Sequence, residues 1–430
     1  MGLIESQKLR GILFAGELGL SGEIKQVKGI LPIVRMAADR NIRSCIIPKE
    51  NCREAAEVEG IRIYGVEHLS QIVKAFRESF EAAGIKEAEA WAVPETEKAG
   101  EGEVTGGWYK EDFADISGQE TAKRAAEIAA AGFHHMLLIG PPGSGKTMLA
   151  TRIPTIMPLL TKEERLEVST IYSVIGRPFS DNGGRERPFL APHHTATGCA
   201  MIGGGRVPVP GAVSLAHRGV LFLDELTEFK RSVLDMLRQP LEEKRVLLSR
   251  TYGTIVYPAE FMMIGAMNPC PCGYYPDEKR CECSEVQIRH YLSHVSGPLL
   301  DRMDICVEMQ KPEADKILSE KTGESSRTVR ERVRRAREVQ KQRFRESKLQ
   351  FNSEMGIQEM EHYCRLDGTC QKQLKQVIET FGLSVRACHR IVRVARTIAD
   401  LDGKEQIETA HINEAVYYRT AAGSYWERRG

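Results

Sequence analysis

Gly140-Pro141-Pro142-Gly143-Ser144-Gly145-Lys146-Thr147 fills every position of the phosphate-loop pattern G-x-x-x-x-G-K-[ST]. Its surroundings agree. His135-Met136-Leu137-Leu138-Ile139 reads as a buried strand running straight into Gly140, and a helix-like segment follows Thr147. In such a loop backbone N–H groups turn inward around phosphate oxygens, and glycine leaves room where a Cβ would obstruct the approach. The N-terminus of the next helix adds partial positive charge. Gly140, Pro141, Pro142, Gly143, Ser144, Gly145, Lys146 and Thr147 are therefore the candidate nucleotide-binding residues. Lys146 is placed to reach the β- and γ-phosphates of ATP, and Thr147 to ligate Mg2+.

Downstream, Val220-Leu221-Phe222-Leu223-Asp224-Glu225 is an apolar strand ending in a pair of acids. It delivers Asp224 to the Mg2+ shell and Glu225 to a position where it can act as general base on water. Phe261 to Ala266 is a further buried strand. Continuous apolar strands alternating with helices predict an α/β fold with a parallel sheet covered on both faces. Before the loop, Ser117 is the expected cap of a helix through Ala122, Ala125, Ala126, Ile128 and Ala129. Beyond about Lys311 the pattern becomes helical, including Ser326 to Glu346 and Ser384 to Leu401.

The first 80 or so residues form a small α/β unit, with a helix over Ile33 to Ala38, a strand at Cys45 to Pro48 and a helix over Leu69 to Phe80. Residues 86–110 lose periodicity and read as a linker. The whole chain has 430 residues, 42% hydrophobic and 28% charged, which excludes a wholly disordered protein. Lys+Arg 60 against Asp+Glu 59 leaves a net charge of +1, so a nucleic-acid partner must be held by local patches. No apolar run reaches 18 residues, and no secretion signal precedes the first unit, so the expectation is a cytoplasmic protein with no membrane partner.

Asp115-Ile116-Ser117-Gly118-Gln119, the phosphate loop, Asp224-Glu225, Asn268 after a buried strand, and Leu300-Asp301-Arg302-Met303-Asp304 together resemble an AAA+ ATPase. Arg187-Pro188-Phe189-Leu190-Ala191-Pro192-His193-His194-Thr195-Ala196, Ile202-Gly203-Gly204-Gly205 and Ser214-Leu215-Ala216-His217 narrow the resemblance to the magnesium-chelatase-like branch, and within it to the YifB/ComM family. The resemblance implies that Asn268 is a sensor amide for the γ-phosphate or attacking water. It implies that Arg302 is an arginine finger serving a neighbouring subunit, and that Arg386 is a second sensor on a helical lid. It implies a hexameric ring motor acting on DNA, a branch-migration helicase linked to natural transformation and preferring forked or branched DNA. A motor subunit for metal insertion into a porphyrin and an ATP-switched scaffold are the alternatives. The segment 187–217 corresponds to the branch's helix-2 insert, where Gly203-Gly204-Gly205 suggests a mobile loop and the adjacent His193 and His194 should diverge.

Gly22-Glu23-Ile24 to Gly29-Ile30-Leu31-Pro32, with Asn41-Ile42 and Ile46 to Asn51, resembles the distal part of a Lon-type protease domain. The position of that family's catalytic lysine falls on Leu31, which cannot activate a nucleophile. The expected layout is a partial, non-catalytic Lon-protease-like domain over 1–85, truncated at its N-terminus relative to the family, a linker over 86–110, an AAA+ core over 111–310, and a helical lid domain over 311–430.

Two features remain. Cys270 and Cys272 pair across one residue, as do Cys281 and Cys283, with eight residues between the pairs. Four thiolates so arranged suit a structural Zn2+, although paired zinc cysteines usually stand two to four residues apart. Free thiols and a redox role are the alternatives. Between Lys311 and Gln350, 13 Lys/Arg stand against 7 Asp/Glu. Arg330, Arg334, Arg337 and Lys341 recur at helical spacing, as a phosphate-contacting stripe or a solvated face.

Overall fold

The structure, a computed structural model, describes residues 4–87, 111–177, 179, 184–250, 253–311 and 323–420. The linker expected over 86–110 falls outside them from residue 88 onward. The chain divides into two compact units, Met1–Gly107 with Leu160–Arg185, and Trp108–Leu159 with Glu186–Gly430.

In the first unit β1 (Ile12–Phe14), β2 (Ser44–Pro48) and β3 (Arg62–Val66) form a parallel sheet in that order. β2 is buried along its whole length, as its apolar run requires. Helix α1 (Ile30–Asp39) buries Ile30, Leu31, Val34 and Ala37 against this sheet's core cluster. Residues 160–185, drawn with 111–310 in the sequence reading, group with this unit instead. The reason is local packing: the helix Lys162–Val174 lies on α1, Leu166 joins the same apolar cluster, and Ser173 accepts the Gly29 N–H at 2.8 Å and the Leu31 N–H at 3.2 Å.

In the second unit β4 (Met136–Ile139), β5 (Phe189–Leu190), β6 (Val220–Leu223), β7 (Met262–Met267) and β8 (Ile305–Glu308) form an all-parallel sheet in the order β8-β4-β7-β6-β5. β4, β6 and β7 are buried at every position, the signature of a sheet covered on both faces. α2 (Glu120–Gly132) packs on this sheet through an alanine-rich face that is fully buried from Ala125 to Ala131 apart from Glu127. Small side chains let that helix approach closely. Ser117 is not its cap; Gln119 is, in the left-handed region at φ 59°. Its Nε2 donates instead to the carbonyls of Ser144, at 3.1 Å, and of Gln310, at 2.5 Å.

The C-terminal helices include α4 (Ser326–Arg343), α5 (Val385–Leu401) and α6 (Thr409–Thr420). They share one apolar cluster with the sheet and with the helix that follows the phosphate loop, joining Val333, Ile391, Ala395 and Ile412 to Leu138 and Ile264 of the sheet and Ile153 of that helix. The basic stripe on α4 does not stay on one solvated face. Arg330 donates to the Thr155 carbonyl at 2.8 Å, and Arg337 donates to the Ala130 carbonyl at 2.6 Å while lying over the Phe351 ring. Arg334 pairs with Glu331 at 2.8 Å, one turn back. Among the described residues no helix is long and apolar enough to cross a membrane.

Candidate functional site

The site grows from the ends of three neighbouring strands. β4 runs into the phosphate loop at Gly140, and α3 (Lys146–Ile156) leaves it, with Gly143 and Gly145 in the left-handed region at φ 74° and 88°. A side chain there would be strained, so glycine is what lets the loop curl. Gly140 has no room for a Cβ either, which would sit 2.2 Å from the Met309 carbonyl oxygen.

The loop's register with its neighbours delivers the remaining groups. β7 pairs Met267 with Ile139, so the next residue, Asn268, emerges beside Gly140. Asn268 Oδ1 accepts from Lys146 Nζ at 3.1 Å, and the same ammonium donates to the carbonyls of Gly140, at 2.6 Å, and Pro141, at 3.0 Å. Lys146 is buried, and burial pushes its ammonium down to about 8, with the Asp224 carboxylate opposing the shift. Thr147 Oγ1 donates to Asp224 Oδ2 at 2.7 Å. A hydroxyl and a carboxylate at that separation are hard oxygen donors of the kind Mg2+ takes in phosphate sites. Such an ion, when bound, neutralises charge on the β- and γ-phosphate oxygens. The Glu225 N–H bonds back to Asp224 Oδ1 at 2.9 Å, fixing the turn that ends β6.

Glu225 itself sits in the left-handed region at φ 50°, rare for a residue with a long side chain. Strain of this kind persists only where surroundings enforce it, and it concentrates at functional sites. Sequence reasoning missed the residue that faces it. β5 lies beside β6, pairing Phe189 with Val220 and Leu190 with Leu221, and the chain leaving β5 carries His194 to the end of β6. His194 Nδ1 lies 3.1 Å from Glu225 Oε2. The signal was the sheet order, which the sequence did not supply. His193 and His194 do not diverge as expected; their rings lie 4.1 Å apart. His217 belongs elsewhere, its Nδ1 accepting the Glu260 N–H at 3.1 Å. Gly203-Gly204 pair with Val209-Pro210 in a short antiparallel hairpin.

Arg302 and Arg386 stand apart from this cluster. Arg302 pairs with Glu242 and donates to the Pro298 carbonyl at 2.5 Å. Arg386 is exposed on the first turn of α5 and makes no hydrogen bond or ion pair among the described residues. The segment carrying Arg302 is gripped by the helical region. Arg390 of α5 donates to the Arg302 carbonyl at 3.1 Å and pairs with buried Asp304, while Arg419 of α6 donates to the Met303 carbonyl at 2.7 Å. Cys270, Cys272, Cys281 and Cys283 converge just beyond Asn268, with their sulfurs within 4.8 Å of one another.

Comparison with known proteins matches this architecture. The profile "Magnesium chelatase, subunit ChlI" covers residues 112–317, its C-terminal counterpart covers 323–419, and "Subunit ChlI of Mg-chelatase" covers 2–51. The chain is 40% identical over 418 residues to competence protein ComM of Haemophilus influenzae, spanning 97% of this chain and 79% of that protein. It is 41% identical over 418 residues to YifB of Escherichia coli, spanning 97% and 78%. A more distant likeness, 30% over 200 residues, is to Lon protease 2 of Bacillus subtilis, spanning 41% of this chain and 36% of that protein. A phosphate loop facing an Asp-Glu strand end within a five-stranded parallel sheet, together with near end-to-end likeness to these relatives, identifies the chain as a member of the YifB/ComM family of magnesium-chelatase-like AAA+ ATPases.

Proposed function

We propose that this protein is a Mg2+-dependent, ATP-hydrolysing motor that assembles into a hexameric ring in the cytoplasm and drives branch migration of forked or four-way DNA during natural transformation and recombination. One observation carries the hydrolytic part. Lys146, Thr147, Asp224 and Asn268, far apart in sequence, meet through contacts of 2.7 to 3.1 Å. In this reading residues 140–147 cradle the triphosphate, Thr147 and Asp224 hold Mg2+, and Glu225 takes the proton of the attacking water. Asn268 orients the γ-phosphate or the water, Arg302 completes the pocket of the next subunit, and Arg386 reaches in from the lid. The four clustered cysteines hold a structural Zn2+. Residues 1–85, joined by 160–185, serve as a non-catalytic scaffold, 86–110 as a linker, 111–159 with 186–310 as the motor core and 311–430 as the lid domain.

The DNA part draws its support from the likeness to a relative named as a competence protein, which runs over 97% of this chain. The profile matches over 112–317 and 323–419 favour one second reading, a motor subunit that drives metal insertion into a porphyrin. ATPase rates with and without forked or four-way DNA, beside a mobility-shift assay, separate the two. The DNA motor binds such junctions and turns over faster on them. ATPase that is indifferent to DNA, with no shift, overturns the DNA reading.

A further inference from the structure

The loop after Asn268 gathers four cysteines, none of them in a disulfide. Cys270 Sγ stands 3.3 Å from Cys272 Sγ and 3.8 Å from Cys281 Sγ, and Cys272 Sγ stands 3.6 Å from Cys281 Sγ. Cys283 completes the group within 4.8 Å. A disulfide would hold a pair at about 2.0 Å. A tetrahedral Zn2+ with Zn–S of about 2.3 Å sets its sulfurs about 3.8 Å apart, close to what is seen. The short spacing inside each pair, which the sequence pattern left in tension with zinc, is thus accommodated by the fold. Buried Cys270 also receives the N–H groups of Gly273 at 3.2 Å and Tyr275 at 3.4 Å. Donors aimed at sulfur are the outer-shell arrangement that steadies a metal-bound thiolate.

The loop that carries this cluster is linked to the nucleotide pocket at two points. Cys270 follows Asn268 by two residues, and Asn268 holds Lys146. Gly273, in the left-handed region at φ 84°, packs so closely on the phosphate loop that a Cβ would lie 2.5 Å from Pro142 Cδ. We propose that Cys270, Cys272, Cys281 and Cys283 bind one Zn2+ per chain, and that this ion is a brace which sets Pro142 and Asn268 at the spacing hydrolysis requires. The proposal rests on the ATPase reading above. It assigns the metal a positioning role, acting through Gly273 on Pro142 and through the chain on Asn268.

The full-length chain, purified anaerobically, tests it. Elemental analysis is expected to give about one zinc per chain, and Co2+ replacement to give thiolate-to-metal charge-transfer bands with tetrahedral d–d absorption. Stripping zinc with a zinc-selective chelator in excess Mg2+ is expected to lower ATP turnover about tenfold or more, because a displacement of about 1 Å in a positioned group costs up to about 10²-fold. Re-adding Zn2+ restores it. Cys281→Ser loses both metal and turnover. Gly273→Ala keeps four ligands and its metal but crowds Pro142, and its turnover falls. Absence of metal together with absence of the Co2+ spectrum overturns the site. Zinc removal, or Gly273→Ala with metal retained, that leaves ATP affinity and turnover unchanged overturns the brace. Failure of the underlying reading looks different: wild-type protein then carries zinc yet hydrolyses no ATP.

Discussion

His194 Nδ1 stands 3.1 Å from Glu225 Oε2, joining the end of β5 to the acid that ends β6. The Glu225 side chain is 60% exposed, so packing does little to orient it. Among the described residues, His194 is the side chain that pairs with it. His194→Ala is expected to leave ATP affinity unchanged and to lower turnover about tenfold, a fraction of the 10²–10⁴ that a positioned base supplies. Single-turnover hydrolysis beside a fluorescent-nucleotide titration measures both quantities. Unaltered turnover removes the pairing from the mechanism.

Binding and hydrolysis should separate cleanly within the pocket. Lys146→Ala removes the ammonium that now rests on the Gly140 and Pro141 carbonyls and on Asn268, and is expected to abolish nucleotide binding. Glu225→Gln keeps the phosphate cradle and should bind ATP normally while hydrolysing it about 10²–10⁴ more slowly. Equilibrium binding and phosphate release tell the two apart; normal turnover in Glu225→Gln rules out its role as base.

Arg302 is paired with Glu242 of its own chain, so serving a neighbour requires that pair to open. Hydrolysis is therefore expected to rise with protein concentration while ATP binding survives dilution. An arginine finger is worth about 10³–10⁵ in turnover, so Arg302→Ala alone should be nearly inactive. Mixed with Glu225→Gln, it should recover part of the ATPase, because some interfaces then combine an intact acid with an intact finger. Mixed rings that form by gel filtration and stay inactive argue against the trans role.

Asp304 is 4% exposed and faces Arg390, His134 and the His135 N–H. Burial alone would raise its carboxyl; Arg390 and His134 outweigh it and hold Asp304 well below the usual carboxylate range. Arg390→Ala strands a buried charge and is expected to cost about 3–5 kcal/mol in denaturant unfolding. Adding Asp304→Asn to that variant should recover part of the loss.

His135 gives the protein an acid-sensitive window. Burial pushes its imidazole down to about 4, with Asp304 opposing and Arg390 reinforcing the shift. Its Nδ1 accepts the Met263 N–H at 3.1 Å, a bond that protonation would break. The folded value lies below the ordinary one near 6.5, so the unfolded chain takes up the proton first as pH falls. Stability is expected to be full above about 6.5 and to decline toward pH 4, by at most about 1.4 kcal/mol per pH unit. Urea midpoints across that range should fall for the wild type and fall less for His135→Gln.

How much of this could be read beforehand depends on how local each signal is. The phosphate loop is eight consecutive residues with a strand before it, and the parallel α/β core follows from the apolar runs at β4, β6 and β7. The His194–Glu225 contact follows from β5 lying beside β6, a fact of sheet order that periodicity does not encode. Ser117 looked like a cap because capping preference is a short-range rule, yet the chain turns through Gln119, whose side chain is tied to the Ser144 and Gln310 carbonyls. The arginines of α4 follow helical spacing as read, but long side chains can fold back onto carbonyls of other helices, and Arg330 and Arg337 do.

The helix Lys162–Val174, which completes the first unit from beyond α3, has a consequence for synthesis. In synthesis, the β1-β2-β3 sheet and α1 are made before the segment 160–185 that groups with them, and the phosphate loop is made in between. The first unit's packing is therefore complete only once the phosphate loop has also been made. A fragment cut at residue 107 lacks Leu166, which packs on the α1 cluster, and Ser173, which accepts the Gly29 and Leu31 N–H groups, so it is expected to be less stable than the same segment within the whole chain.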